Sequence, residues 1–163
     1  MIGSISHATM RPRDLIPCFA DELEWLVKES ASKHTGTLTP QFSDHLDIIR
    51  ECRELTEQDY ESEDPETIER IGCILNEDLF YALNEYSPEY CYFGAHPGDG
   101  SDYGFWIDHE AINEAIADHE LLKVDDLANA PLDFNGPILV VNDHGNATFY
   151  APQVEYKEVW SVV

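Results

Sequence analysis

Between Tyr90 and Trp106, two aromatic-rich runs, Tyr90–Ala95 and Asp102–Ile107, flank His96-Pro-Gly-Asp-Gly-Ser-Asp102. Aromatic residues suit a pleated, half-buried surface, and Gly and Pro punctuate it. The pattern predicts a β-hairpin closed by a seven-residue loop. Helical patterns precede it and strand patterns follow, so the hairpin is expected to open the sheet. No recognisable catalytic signature accompanies it.

The apolar positions before the hairpin recur at helical spacing. Leu15, Phe19, Leu23, Leu26 and Val27 predict a helix from an N-cap at Asp14 to about Ser30, with Pro17 tolerated in its first turn. Thr39 and Pro40 open a second helix with Asp44 in its early turns, and Phe42, Leu46, Ile49, Cys52 and Arg53 trace one face to about Asp59. Asp64-Pro65 repeats the start signal. Ile68, Ile71, Leu75, Leu79 and Leu83 then mark a third helix to about Tyr86, ended by Pro88. Gly72 inside it reads as a point of close packing. Ile2–Ala8 is an edge strand or an unstructured lead.

After the hairpin, Asp108 can cap a short helix, His109–Asp118, with Ile112 and Ile116 facing inward. Strands are expected at Leu121–Val124, Ile138–Val141, Ala147–Ala151 and Val154–Val163, with a loop over Asp125–Gly136. Short turns favour antiparallel pairing. The expected fold is α+β, with about three N-terminal helices on one face of a C-terminal antiparallel β-meander of roughly four to six strands. Residues 1–163 are expected to form one domain, helical over 1–88 and β-rich over 89–163.

A chain of 163 residues with 43% apolar content can bury a substantial core without metal or disulfide staples. Its charge is the outlier: 33 acidic against 9 basic residues give −24, with a pI near 4.2. Residues 1–70 hold 16 acidic and 7 basic side chains, whereas 71–163 hold 17 and 2, Lys123 and Lys157. That field opposes nucleic acid and anionic membranes and attracts basic partners. Cys18, Cys52, Cys73 and Cys91 are isolated, and the first three fall on or beside helical apolar stripes, as free thiols do. Met-Ile-Gly-Ser-Ile-Ser-His shows no basic region followed by an apolar run, so no signal peptide is expected, and no window approaches the length of uninterrupted apolar residues that spans a bilayer. A cytoplasmic protein is therefore expected.

Three chemistries compete for the candidate residues. His96, Asp99 and Asp102 in one turn, with Asp143 and His144 in another, offer oxygen and imidazole ligands for a divalent ion such as Mn or Zn, and with it a metal-dependent hydrolase or small-ligand domain. Turn formation alone also accounts for these residues, since Asp and Asn bond the local backbone. Ser101 and Cys91 lie near His96, but chance combinations are expected with so many acids, and neither a nucleophile elbow nor a protease-type cysteine motif is present. Gly98-Asp-Gly100 is no phosphate cradle, because Asp99 and Asp102 repel phosphate and no Lys follows.

The third chemistry is the charge itself. A compact chain of this length is on the order of 40 Å wide. B-DNA presents one charge per roughly 1.7 Å, or about 24 over that width. Carboxylates fixed on helices can stand in for phosphates at low ordering cost. The candidates are Glu51, Glu54, Glu57, Glu61 and Glu63 in and after the second helix, and Glu110, Glu114, Asp118 and Glu120 near the short helix. An acidic solvated surface, or adaptation to a salt-rich cytoplasm, is the blander account.

The second half, especially Tyr92–Trp106, Val141-Asn-Asp-His-Gly-Asn146 and Glu158-Val-Trp-Ser161, resembles uncharacterised small acidic proteins of phages and plasmids over residues 90–163. That group has no assigned site, so no functional residue carries over. The resemblance implies a mobile-element setting, where small acidic proteins block DNA-binding defence enzymes as anti-restriction and anti-CRISPR inhibitors. The expectation is a non-catalytic acidic protein, without cofactor and with the capacity to pair as a homodimer. It would bind a basic, nucleic-acid-handling protein.

Overall fold

The computed structural model describes residues 2–33, 40–131, 133–144 and 146–151. They fall into two compact units, Met1–Asp108 and His109–Val163. The division lies after the hairpin rather than at 88/89, so the hairpin belongs with the helices. The structure is mixed α/β, but its strands form two small three-stranded sheets. The expected single C-terminal meander is therefore not what the chain builds.

In the first unit, β1 (Gly3–Ser6) leads into α1 (Pro12–Lys33), α2 (Pro40–Glu54), α3 (Glu57–Tyr60) and α4 (Pro65–Cys73). A π-helical turn, Ile74–Leu79, joins α4 to α5 (Phe80–Asn84), and the hairpin of β2 (Cys91–His96) and β3 (Asp99–Ile107) follows. Helix α1 starts two residues before the expected cap. Asp14 instead lies in its first turn, where it accepts bonds from Thr9 Oγ1 at 2.7 Å and Arg11 Nε at 3.0 Å. Pro17 thus sits one turn deeper than expected. The second predicted helix breaks at Glu54, because Thr56 and Asp59 form a capping box that starts α3. Asp64 caps α4 through Thr67 N, 3.0 Å away, with Pro65 at the first position, as expected.

The sheet order is β1-β3-β2, antiparallel throughout. Ile2–Ala8 thus contributes an edge strand paired to the hairpin, a long-range contact no local pattern announces. The expected seven-residue loop is a tight turn at Pro97-Gly98, since His96 pairs with Asp99 and a bulge absorbs the following residues into β3. Alternation places Phe93, Tyr103 and Phe105 on one face. There Phe93 and Tyr103 meet Phe19 of α1 and Phe80 of α5 in edge-on ring contacts, Phe19 to Phe93 at 5.0 Å and Phe80 to Phe93 at 5.2 Å. Leu15, Ile16, Leu23, Leu79 and Leu83 complete the core. Tyr92 and Trp106 lie half-buried on the other face, with Trp106 Nε1 donating to Gly94 O at 2.9 Å.

The second unit contains α6 (His109–Ala117), β4 (Leu122–Val124), a 3₁₀ turn Leu127–Asn129, β5 (Ile138–Val141) and β6 (Ala147–Tyr150). Strands β4 and β5 run parallel, against the antiparallel expectation, while β5 and β6 form an antiparallel hairpin. The connection over 125–137 is long enough to return the chain to the same sheet end. The predicted strand Val154–Val163 lies outside the described residues. No helix of the described residues is long and apolar enough to cross a membrane.

Candidate functional site

The metal reading requires side chains that converge, and these are engaged separately. His96 Nδ1 accepts from Gly98 N at 3.0 Å. Asp99 Oδ1 accepts from Ser101 N at 2.9 Å and Ser101 Oγ at 2.8 Å, which holds its carboxyl below the usual carboxylate range. Asp102 accepts from Ser4 Oγ on the neighbouring strand. Asp143 and His144 are exposed in the β5–β6 turn, which Asn142 organises by accepting from His144 N and Asn146 N, each at 3.0 Å. Among the described residues, no three His, Cys, Asp or Glu side chains group as metal ligands. The bonds at Asp99 and Asn142 are the local turn chemistry of Asp and Asn, while that of Asp102 ties two strands together.

The nucleophile candidates fare no better. Ser101 Oγ donates to Asp99, and Cys91 is half-buried with its thiol pushed up by desolvation, the wrong direction for a reactive thiolate.

The acidic surface is built differently. In the first unit, six cationic side chains are described in ion pairs: Arg11 with Asp14, Arg13 with Glu57, Lys28 with Glu24, Arg50 with Asp47, Arg53 with Asp21 and Glu24, and Arg70 with Glu51. Two candidates, Glu51 and Glu57, are thereby compensated. Glu54, Glu61 and Glu63 stay exposed around α3 without an ion pair among the described residues. Near Glu51, burial pushes the Asp78 carboxyl up, with Glu51 and Glu77 adding to the shift. Acids outnumber cations there even after pairing.

In the second unit, Glu110, Glu114, Asp118 and Glu120 are all exposed. The first three recur at four-residue spacing along α6 and its C-terminal extension, where Asp118 N donates to Glu114 O at 2.9 Å. Such positions share one face about 6 Å apart. Each like-charge pair at this spacing costs a few tenths of a kcal/mol, and Asp118 also opposes the negative helix end. Ala115, about 100° round the helix from Glu114, is the residue that turns inward, while Ile112 and Ile116 are half-buried.

Each unit therefore carries acidic candidates of its own. Sequence reasoning passed over a groove beside β1, because it depends on pairing that only the fold creates. No known protein-family model, no curated protein and no solved structure matches the chain.

Proposed function

We propose that this chain is a non-catalytic acidic binding protein whose partner is a basic, nucleic-acid-handling protein. The observation that supports this reading is the state of its cations. Those described in the first unit are already held by carboxylates, so the surplus negative charge of that unit faces solvent. In the second unit, Lys123 is the one Lys or Arg among the described residues, against a stripe of carboxylates along α6 and its C-terminal extension. Fixed carboxylates at regular spacing are what a cleft shaped for a phosphate backbone would accept. Mimicry of nucleic acid and a mobile-element inhibitor role follow as the finer form of the reading.

Affinity capture from a host lysate tests it, with elution in salt steps and competition by duplex DNA. Retention of a nuclease, polymerase or defence complex that salt releases and DNA displaces is the expected result. Binding that neither salt nor DNA disturbs would sink the electrostatic reading. Simultaneous reversal of Glu110, Glu114 and Asp118 should slow association far more than any one change.

A further inference from the structure

A groove of about 420 Å³ runs between β1 and α1. One wall is formed by four consecutive residues, Ile2, Gly3, Ser4 and Ile5. The positive φ of Gly3 and the bulge between Ser4 and Ser6 break the regular alternation here, so the groove follows the strand's backbone rather than one of its faces. Strand β1 is outermost in the order β1-β3-β2 and has no strand on its other side among the described residues. Opposite stand Cys18, Asp21 and Glu22, spaced as one stripe of α1. Gly3 leaves the middle open, since a Cβ there would meet nothing within 4 Å. Its register partner Phe105 also lines the groove and gives it an apolar surface.

The charges select the occupant. Glu22 is half-buried, makes no ion pair among the described residues, and has its carboxyl pushed up by burial. Asp21 is exposed beside it and shares Arg53 with Glu24. Carboxylates reject an anionic ligand, and an apolar wall suits the methylene stem of a long cationic side chain. The β1 strand of a second copy, Gly-Ser-Ile-Ser, brings no cation. We infer that this groove receives an extended basic segment of the partner, which adds to β1 as a fourth strand and sets an arginine or lysine against Glu22. The inference rests on the acidic-binder reading and names its anchor. Cys18 Sγ already donates to Ile5 O at 3.5 Å, so main-chain bonds to the part of β1 before Ile5 would supply affinity and the cation specificity.

The test uses a short peptide alternating arginine and valine, and the same peptide N-methylated on alternate residues so that it cannot pair as a strand. Titration of the full chain followed by backbone amide NMR should shift Gly3, Ser4, Ile5 and Phe105. Glu22→Lys should weaken binding by about tenfold or more, and N-methylation should do the same. Asp133→Lys, an exposed site in the other unit, should change it by no more than about twofold. Equal losses from Glu22→Lys and Asp133→Lys, with the N-methylated peptide bound as well as the parent, would overturn the groove while leaving the acidic binder standing. No binding of either peptide at low salt would overturn both. The N-methylated peptide keeps the result decisive if Glu22→Lys disturbs folding.

Discussion

His119 holds a left-handed backbone, φ 62, just past α6. Glu120 N donates to Ala115 O at 2.9 Å and His119 N to Ile116 O at 3.2 Å, the paired bonds of a Schellman ending, where glycine carries no Cβ penalty. His119→Gly should therefore raise stability by about 1 kcal/mol in urea unfolding. A neutral or destabilising result would show that the imidazole does more than occupy the turn. Cys52 is a second residue-scale case. Burial pushes its thiol from 9.0 up to about 12, with Glu51 adding to the shift. Below about pH 9 native and unfolded chains both keep the proton, so its contribution is fully present. Between about 9 and about 12 the unfolded chain loses it first, so stability falls with rising pH. Alkylation followed by peptide mass mapping should label exposed Cys73 first and Cys52 only on unfolding. His45, 5% exposed, is buried by partnership, with Nδ1 2.9 Å from Tyr86 Oη and Nε2 3.3 Å from Glu85.

At the scale of elements, two glycines behave oppositely. Gly72 reads as a close-packing position, yet a Cβ there would meet nothing within 4 Å. Gly72→Ala should stabilise α4 by about 0.5–1 kcal/mol through helix propensity alone. At Gly104 a Cβ would lie 2.1 Å from Gly3 O, because β1 and β3 approach closely. Gly104→Ala should cost about 2 kcal/mol or more and loosen β1. Chemical denaturation of both variants checks the pair, and matching signs would contradict the register. Just after Gly72 the helix widens into the π turn, with Asn76 Nδ2 donating to Gly72 O at 3.0 Å. Asn84 guards the hairpin edge by accepting from Phe93 N at 2.9 Å, which keeps β2 from offering that donor to another strand.

For the molecule as a whole, charge sets the response to solvent. A net −24 repels itself, and raising ionic strength from about 0.01 M to 0.15 M shortens the Debye length from roughly 30 to 8 Å. The thermal midpoint should rise across that range by several degrees, roughly what 1 kcal/mol produces in a domain this size. A fold that persists at low salt fits the binder, whereas unfolding there would favour salt adaptation. Calorimetry at fixed pH decides between them. Among the described residues, the core cluster of the first unit runs from Leu15 to Phe105, and the second unit buries Ala115, Leu121 and Leu139.

Helical character over much of 12–86 and strands at 91–95, 102–107 and 138–141 could be read from the chain because their signals are local, whereas the break after Glu54, the separate α3 and the π turn could not. Apolar spacing, proline after a capping residue and aromatic alternation all act within a turn or two. Leu15, Phe19 and Leu23 were legible as core for that reason, as were the carboxylates on the face of α6. What pairs with what was not legible. That β1 joins the hairpin across a hundred residues, that β4 and β5 run parallel, and that Tyr103 faces the core while Trp106 does not depend on register. A one-residue shift in register would exchange the two faces of a strand. The composition determines how much negative charge the protein carries; the fold determines which carboxylates are cancelled by arginine and which, like Glu22, stand beside an open strand.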